Sequence, residues 1–333
     1  MLRLLKNNRP SGLAFIVFLL ILLFLKTALD PVPGNTLQGM PLYELLPGKI
    51  AGLPIPAAAV STLIFVLLLL LIIRLNIIHF LLEDRTYMPA TFFLLINASW
   101  PVALQLNPIL FSTPFLLLAI LTLIRGEEHR ADPMALFNAT LLLAAGSLFY
   151  LKLIWFIPFF WITAAIIRPL KWRGIINPLI AMILLGGFLF TWYWVIKDDL
   201  PLLGKVLREN LGMGNGRLPT PQLPGKIILA FLALLITISS FHLLSRYQFR
   251  KIIIRKLYLV LFILFCYGLL FFFLVTNFRE EVMIIVAVPL TYLFSNYFYR
   301  KKNSALQEVL IWVWLILIVY VQIAPITGWQ PLR

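Results

Sequence analysis

The chain has 333 residues, of which 62% are hydrophobic and 12% charged, with 28 Lys and Arg against 13 Asp and Glu. So little charge cannot cover a soluble particle of this size. The single cysteine, Cys266, excludes a disulfide scaffold, and the apolar excess excludes disorder. The mean hydropathy of +0.97 and the repeated long apolar runs indicate an all-α, polytopic membrane protein in contact with a lipid bilayer.

A span needs roughly 20 apolar residues. The first run, 12–29, follows Arg3, Lys6 and Arg9 as the core of a signal peptide would. Its end, Lys26-Thr27-Ala28-Leu29-Asp30, is a poor cleavage site, so a retained helix is expected. A longer segment, 30–54, leads to a span at 55–75. Four short, proline-interrupted runs follow at 88–106, 109–124, 133–150 and 152–167, containing Pro101, Pro114 and Pro158. A merged or re-entrant pair among them would lower the total. The next span, 175–196, is followed by the second long segment, 197–226. Its part from Leu203 to Leu211 has apolar residues at helical spacing, as an amphipathic interfacial helix would. Spans at 227–244, 257–275, 282–299 and 306–323 bring the expectation to eleven. The whole chain then forms one integral membrane domain.

Lys and Arg mark the cytoplasmic loops of a membrane protein. With the amino terminus inside and the carboxyl terminus outside, 18 of the 28 basic residues fall on the cytoplasmic side. This topology accounts for most of the positive charge and removes the need for a nucleic-acid partner.

The three histidines have no metal-ligand spacing, and one cysteine cannot build a multi-thiolate site, so neither a metal nor a cofactor is expected. His79 is expected to be solvated at a span end. The Asn97 and Asn138 glycosylation triplets fall within spans and read as chance matches. Asn97, Gln105, Asn138, Asn177 and Gln322 are expected to hydrogen-bond neighbouring helices. The glycine-rich stretch Gly212 to Gly216 reads as a loop, since a phosphate-binding turn would need a preceding strand.

Two readings attach to the outward segments. Lys152 is either a lysine snorkelling to the interface or a cation that holds a lipid phosphate, with Lys205, Arg208 and Arg217 assisting. Asp30, before Pro31 and Pro33, is either a helix-end punctuation mark or a catalytic carboxylate, with Glu44 as the second acidic candidate.

The segments from Leu82 to Pro101, Asn107 to Arg125 and Ala135 to Trp194 resemble a family of bacterial multi-pass inner-membrane proteins. The resemblance is carried best by Ser147-Leu148-Phe149-Tyr150 and by Arg168-Pro169-Leu170-Lys171-Trp172-Arg173. It implies a bacterial inner-membrane location and no particular chemistry. The same layout is similar to that of GT-C-type integral-membrane glycosyltransferases, in which an acidic first outward loop meets a lipid-phosphate-linked sugar. That similarity implies Asp30 as general base on an acceptor hydroxyl and outer cations holding a polyprenyl phosphate lipid. Two functions stand as expectations. The first is a non-enzymatic component of the cell envelope, either an assembly subunit alongside other envelope membrane proteins or a lipid or solute facilitator. The alternative is a polyprenyl-phosphate-dependent glycosyltransferase.

Overall fold

The computed structural model describes residues 10–29, 40–45, 47–50, 52–79, 81–82, 86–128, 134–167, 172–212, 223–245, 247–276, 279–300 and 305–327. Every regular element among them is helical. The α-helices are α1 (Pro10–Leu29), α2 (Pro41–Leu45), α3 (Pro47–Ile50), α4 (Pro54–His79), α5 (Met88–Ala98), α6 (Pro108–Glu128) and α7 (Ala135–Ser147). They continue as α8 (Ile157–Ile167), α9 (Trp172–Thr191), α10 (Leu200–Leu211), α11 (Leu223–Ser245), α12 (Ile252–Leu270), α13 (Met283–Arg300) and α14 (Ala305–Thr327). Proline opens α2, α3, α4 and α6, where its fixed φ suits the first turn and its missing N–H leaves no bond unmade.

Eight helical stretches among the described residues are long and apolar enough to cross a membrane. Three further apolar helices, Met88–Ala98, Ala135–Ser147 and Leu151–Ile167, are shorter. The 11 residues of α5 rise only about 16 Å at about 1.5 Å per residue, roughly half of a bilayer core. Pro101 accounts for part of this shortfall, because it cannot continue the helix of Leu95 to Ala98. By contrast Pro114 sits inside a continuous helix, so the 109–124 run is a full-length stretch, Pro108–Arg125.

The bundle has a filled centre and an apolar rim. All residues of α5 are buried, and it packs against α13, whose stretch is 89% buried. Phe92 of α5 lies 4.9 Å from Phe298 and 6.0 Å from Trp314, ring centre to ring centre. The stretches built on α1, α9, α11 and α14 are only 17–28% buried. They turn Phe18, Ile183, Phe241 and Ile316 outward, as lipid-facing helices do. Close approach between elements uses small residues. A Cβ on Gly146 of α7 would sit 2.8 Å from Leu153 Cδ2 and 2.9 Å from Phe115 Cβ. Gln322 of α14 meets the expectation for polar groups in the spans: its Nε2 donates to the Ala98 carbonyl of α5, while Lys26 of α1 donates to its backbone oxygen. Asn97 instead donates within its own helix, to the Phe93 carbonyl.

Candidate functional site at one end of the bundle

One end of the bundle departs from α-helical geometry in several places. Short 3-10 segments occur at Pro101–Leu104, Leu151–Phe156 and Glu280–Val282. Helices α9 and α12 finish in π turns at Trp192–Ile196 and Phe271–Val275. The residues that lead into the 3-10 segments, Trp100, Tyr150 and Arg279, are extended, with ψ of 91°, 96° and 118°. These breaks lie together: 101–104 packs on 280–282, and α10 packs on both 151–156 and the π turn of α9. Irregular backbone inside a bilayer-spanning bundle survives only where protein or water satisfies its polar groups. Here side chains do part of that work. Lys152 Nζ donates to the Val275 carbonyl at 2.8 Å, closing the end of the second π turn. Trp314 Nε1 donates to Ser99 Oγ at 3.1 Å, beside the break after α5.

The breaks gather polar side chains under cover. Glu281 is 5% exposed, and its Oε2 has no hydrogen-bond partner among the described residues. Two residues earlier, Arg279 has a buried Nη1 that is likewise unpartnered. The charges of both act on the hydroxyl of Tyr150, which is buried, and Arg279 also acts on the Lys152 ammonium. Tyr43 of α2 lies near enough to feel the Glu281 charge. Burial, followed by the negative charge of Glu281, pushes its hydroxyl up from 10.0 to about 12, so it stays a neutral hydrogen-bonding group at physiological pH. Beside it, Glu44 pairs with Lys197 at 2.8 Å, tying the first long segment to the second.

The site residues expected from sequence are distributed unevenly. Asp30 and Arg217 lie outside the described residues. Glu44 and Lys152 both reach this end, the former in its ion pair and the latter turned inward onto the backbone. Lys205 and Arg208 lie on the exposed face of α10, whose opposite face buries Val206 and Asn210. That amphipathic helix matches the expectation for 203–211. It starts three residues earlier because Asp199 caps it, accepting from the Leu202 amide at 3.0 Å.

Arg279 and Glu281 were not singled out by sequence reasoning, although Arg279-Glu280-Glu281 stands directly before an apolar run. Three adjacent ionisable residues at a span end read as an ordinary solvated boundary. The signal against that reading was the brevity of the connection from Val275 to Met283, which leaves little room to reach bulk water. His79 is also corrected: it is 4% exposed, because the turn at Leu81 and Leu82 folds back over the end of α4, where the Leu82 amide donates to Asn76 Oδ1 at 3.0 Å.

Two shallow open clefts have largely apolar linings, one between α1, α4 and Leu104 and one between α7, α8 and α9. Among the described residues no group of three or more His, Cys, Asp or Glu could hold a metal ion. Compared with protein-family models, with curated proteins and with solved structures, the chain has no match in any of the three.

Proposed function

We propose that this chain is a multi-pass component of a bacterial inner membrane that holds a phosphate-bearing lipid at its outer end and carries out no chemistry itself. In this reading eleven segments cross or enter the bilayer, with the amino terminus in the cytoplasm. The three short helices form the deep part of the outer end. The observation that carries the reading is the pair of cations Arg279 and Lys152. They stand close enough to repel, and Arg279 presents a buried, unpartnered N–H. A phosphate oxygen satisfies that donor and relieves the repulsion at once. Lys205 and Arg208 on the exposed face of α10 add attraction at the rim.

The buried carboxylate of Glu281 favours a second reading, glycosyl transfer from a polyprenyl-phosphate-linked sugar, because a desolvated carboxylate next to a phosphate site can act as a general base. Purified protein in nanodiscs, given polyprenyl phosphate and then its glycosylated form, separates the two. The non-enzymatic reading expects retention of the lipid, about tenfold weaker in Arg279→Gln, and no turnover. Turnover that disappears in Glu281→Gln or Asp30→Asn would transfer the assignment to the enzyme. Equal retention by wild type and Arg279→Gln would remove the phosphate site altogether.

A further inference from the structure

Charge balance at this end narrows the ligand. Arg279 and Lys152 supply two cations, and Glu280 and Glu281 supply two carboxylates, so the site is electroneutral when all four are ionised. A purely anionic headgroup answers only the cations. Several buried atoms at this end lack partners, among them the indole N–H groups of Trp100, Trp155 and Trp192; the two on charged groups have opposite signs, the Arg279 Nη1 donor calling for an acceptor and the Glu281 Oε2 acceptor for a donor. They belong to residues separated by one position, and neither atom uses the other. Glu281 is more than nine-tenths buried. A buried charged oxygen without a donor is costly, whereas one that meets an ammonium is strongly stabilised.

We infer that the outer-end site takes a zwitterionic lipid headgroup of the phosphoethanolamine type, its phosphate on Arg279 and Lys152 and its primary ammonium on Glu281. The inference rests on the lipid-phosphate reading above and sharpens it. Two methylenes separate the phosphate from the ammonium in such a headgroup, which suits a donor and an acceptor presented from one short turn. A quaternary ammonium has no N–H and leaves Glu281 Oε2 unpaired, so choline headgroups should be rejected by the same geometry.

The test uses the full chain in phosphatidylcholine nanodiscs supplemented with either phosphatidylethanolamine or phosphatidylglycerol, with retained lipid read by native mass spectrometry. Wild type should enrich phosphatidylethanolamine about tenfold over both the choline matrix and phosphatidylglycerol. Glu281→Gln should lose that preference while still retaining phosphatidylglycerol, and Arg279→Gln should weaken both. O-phosphoethanolamine in solution should compete, which separates headgroup recognition from simple partition into the bilayer. Enrichment of phosphatidylglycerol equal to or above that of phosphatidylethanolamine in wild type overturns the inference, without any variant having to fold. So does a Glu281→Gln protein that loses both lipids alike. If neither lipid is enriched and Arg279→Gln changes nothing, the phosphate reading itself fails, and the inference fails with it.

Discussion

At one end of the bundle Arg250 stacks its guanidinium 4.5 Å from the Tyr258 ring centre, donates from Nη2 to Asn296 Oδ1, and reaches the Leu81 carbonyl at 3.4 Å from Nη1. Tyr258 donates to the same carbonyl at 3.0 Å, and Lys256 donates to the Ile167 carbonyl at 2.9 Å. At the opposite end Arg279 Nη1 and Glu281 Oε2 are buried and meet no partner, as Arg250 Nε also does at the first. Buried charge at the first end knits loops to helices. At the second Lys152 and the Glu44–Lys197 pair do the same, while Arg279 Nη1 and Glu281 Oε2 stay unmet. A buried hydrogen-bonding atom without a partner costs stability, and at this second end two such atoms of charged groups stand beside several helix breaks.

The sharpest way to break this contrast is to remove one arginine from each end. Arg250→Ala loses two charge-assisted hydrogen bonds and a cation–π contact, and should lower stability by about 3 kcal/mol. The expected readout is a large drop in the melting midpoint in detergent. Arg279→Gln should leave that midpoint within about 0.5 kcal/mol of wild type while weakening lipid retention. If Arg279→Gln were the more destabilising of the two, Arg279 would be structural and the contrast would collapse.

A middle-sized effect belongs to the packing that supports the second end. Gly146→Val adds atoms where Phe115 Cβ lies 2.9 Å from a would-be Cβ, and a Cβ cannot swing aside. Overpacking of this kind costs about 2 kcal/mol. Because α7 leads into Tyr150 and Lys152, the variant should also lower lipid retention, whereas Arg250→Ala should reduce stability first. Unchanged retention in a clearly destabilised Gly146→Val protein would show that the site does not depend on how α7 seats.

Much of the architecture was legible from hydropathy alone, because a helix turned toward lipid must be apolar along its length. The stretches on α1, α4, α9, α11, α12 and α14 were all located this way. The short helices were harder. A period of hydrophobicity does not reveal where Pro101 ends a helix and Pro114 does not; tertiary contacts decide, as when Gln322 and Trp314 bond Ala98 and Ser99 at the first break. The site was half legible. Glu44 and Lys152 carried charge in conspicuous places. Arg279 and Glu281 did not, since their meaning depends on burial where 280–282 packs on the 3-10 turn at 101–104, a segment far away in sequence.

The smallest expected effect tests whether the second end is one site. Tyr43 titrates at about 12 rather than 10.0, with burial as the larger cause and Glu281 as the second. Folding therefore favours the neutral phenol. Between pH 10.0 and about 12 the unfolded chain loses this proton and the folded chain keeps it, so Tyr43 makes stability fall as pH rises through that window. Tyrosinate absorbance, taken as the difference between wild type and Tyr43→Phe, isolates the group from the other ten tyrosines. In a Glu281→Gln background the midpoint should move down, because the negative charge that opposed ionisation is gone, but not all the way to the ordinary value, because burial remains. A midpoint that stays where it was would mean that Glu281 carries no charge felt at Tyr43. The donor and acceptor presented from 279–281 would then have no connection to the first long segment, and the two would have to be treated as separate features of the same end.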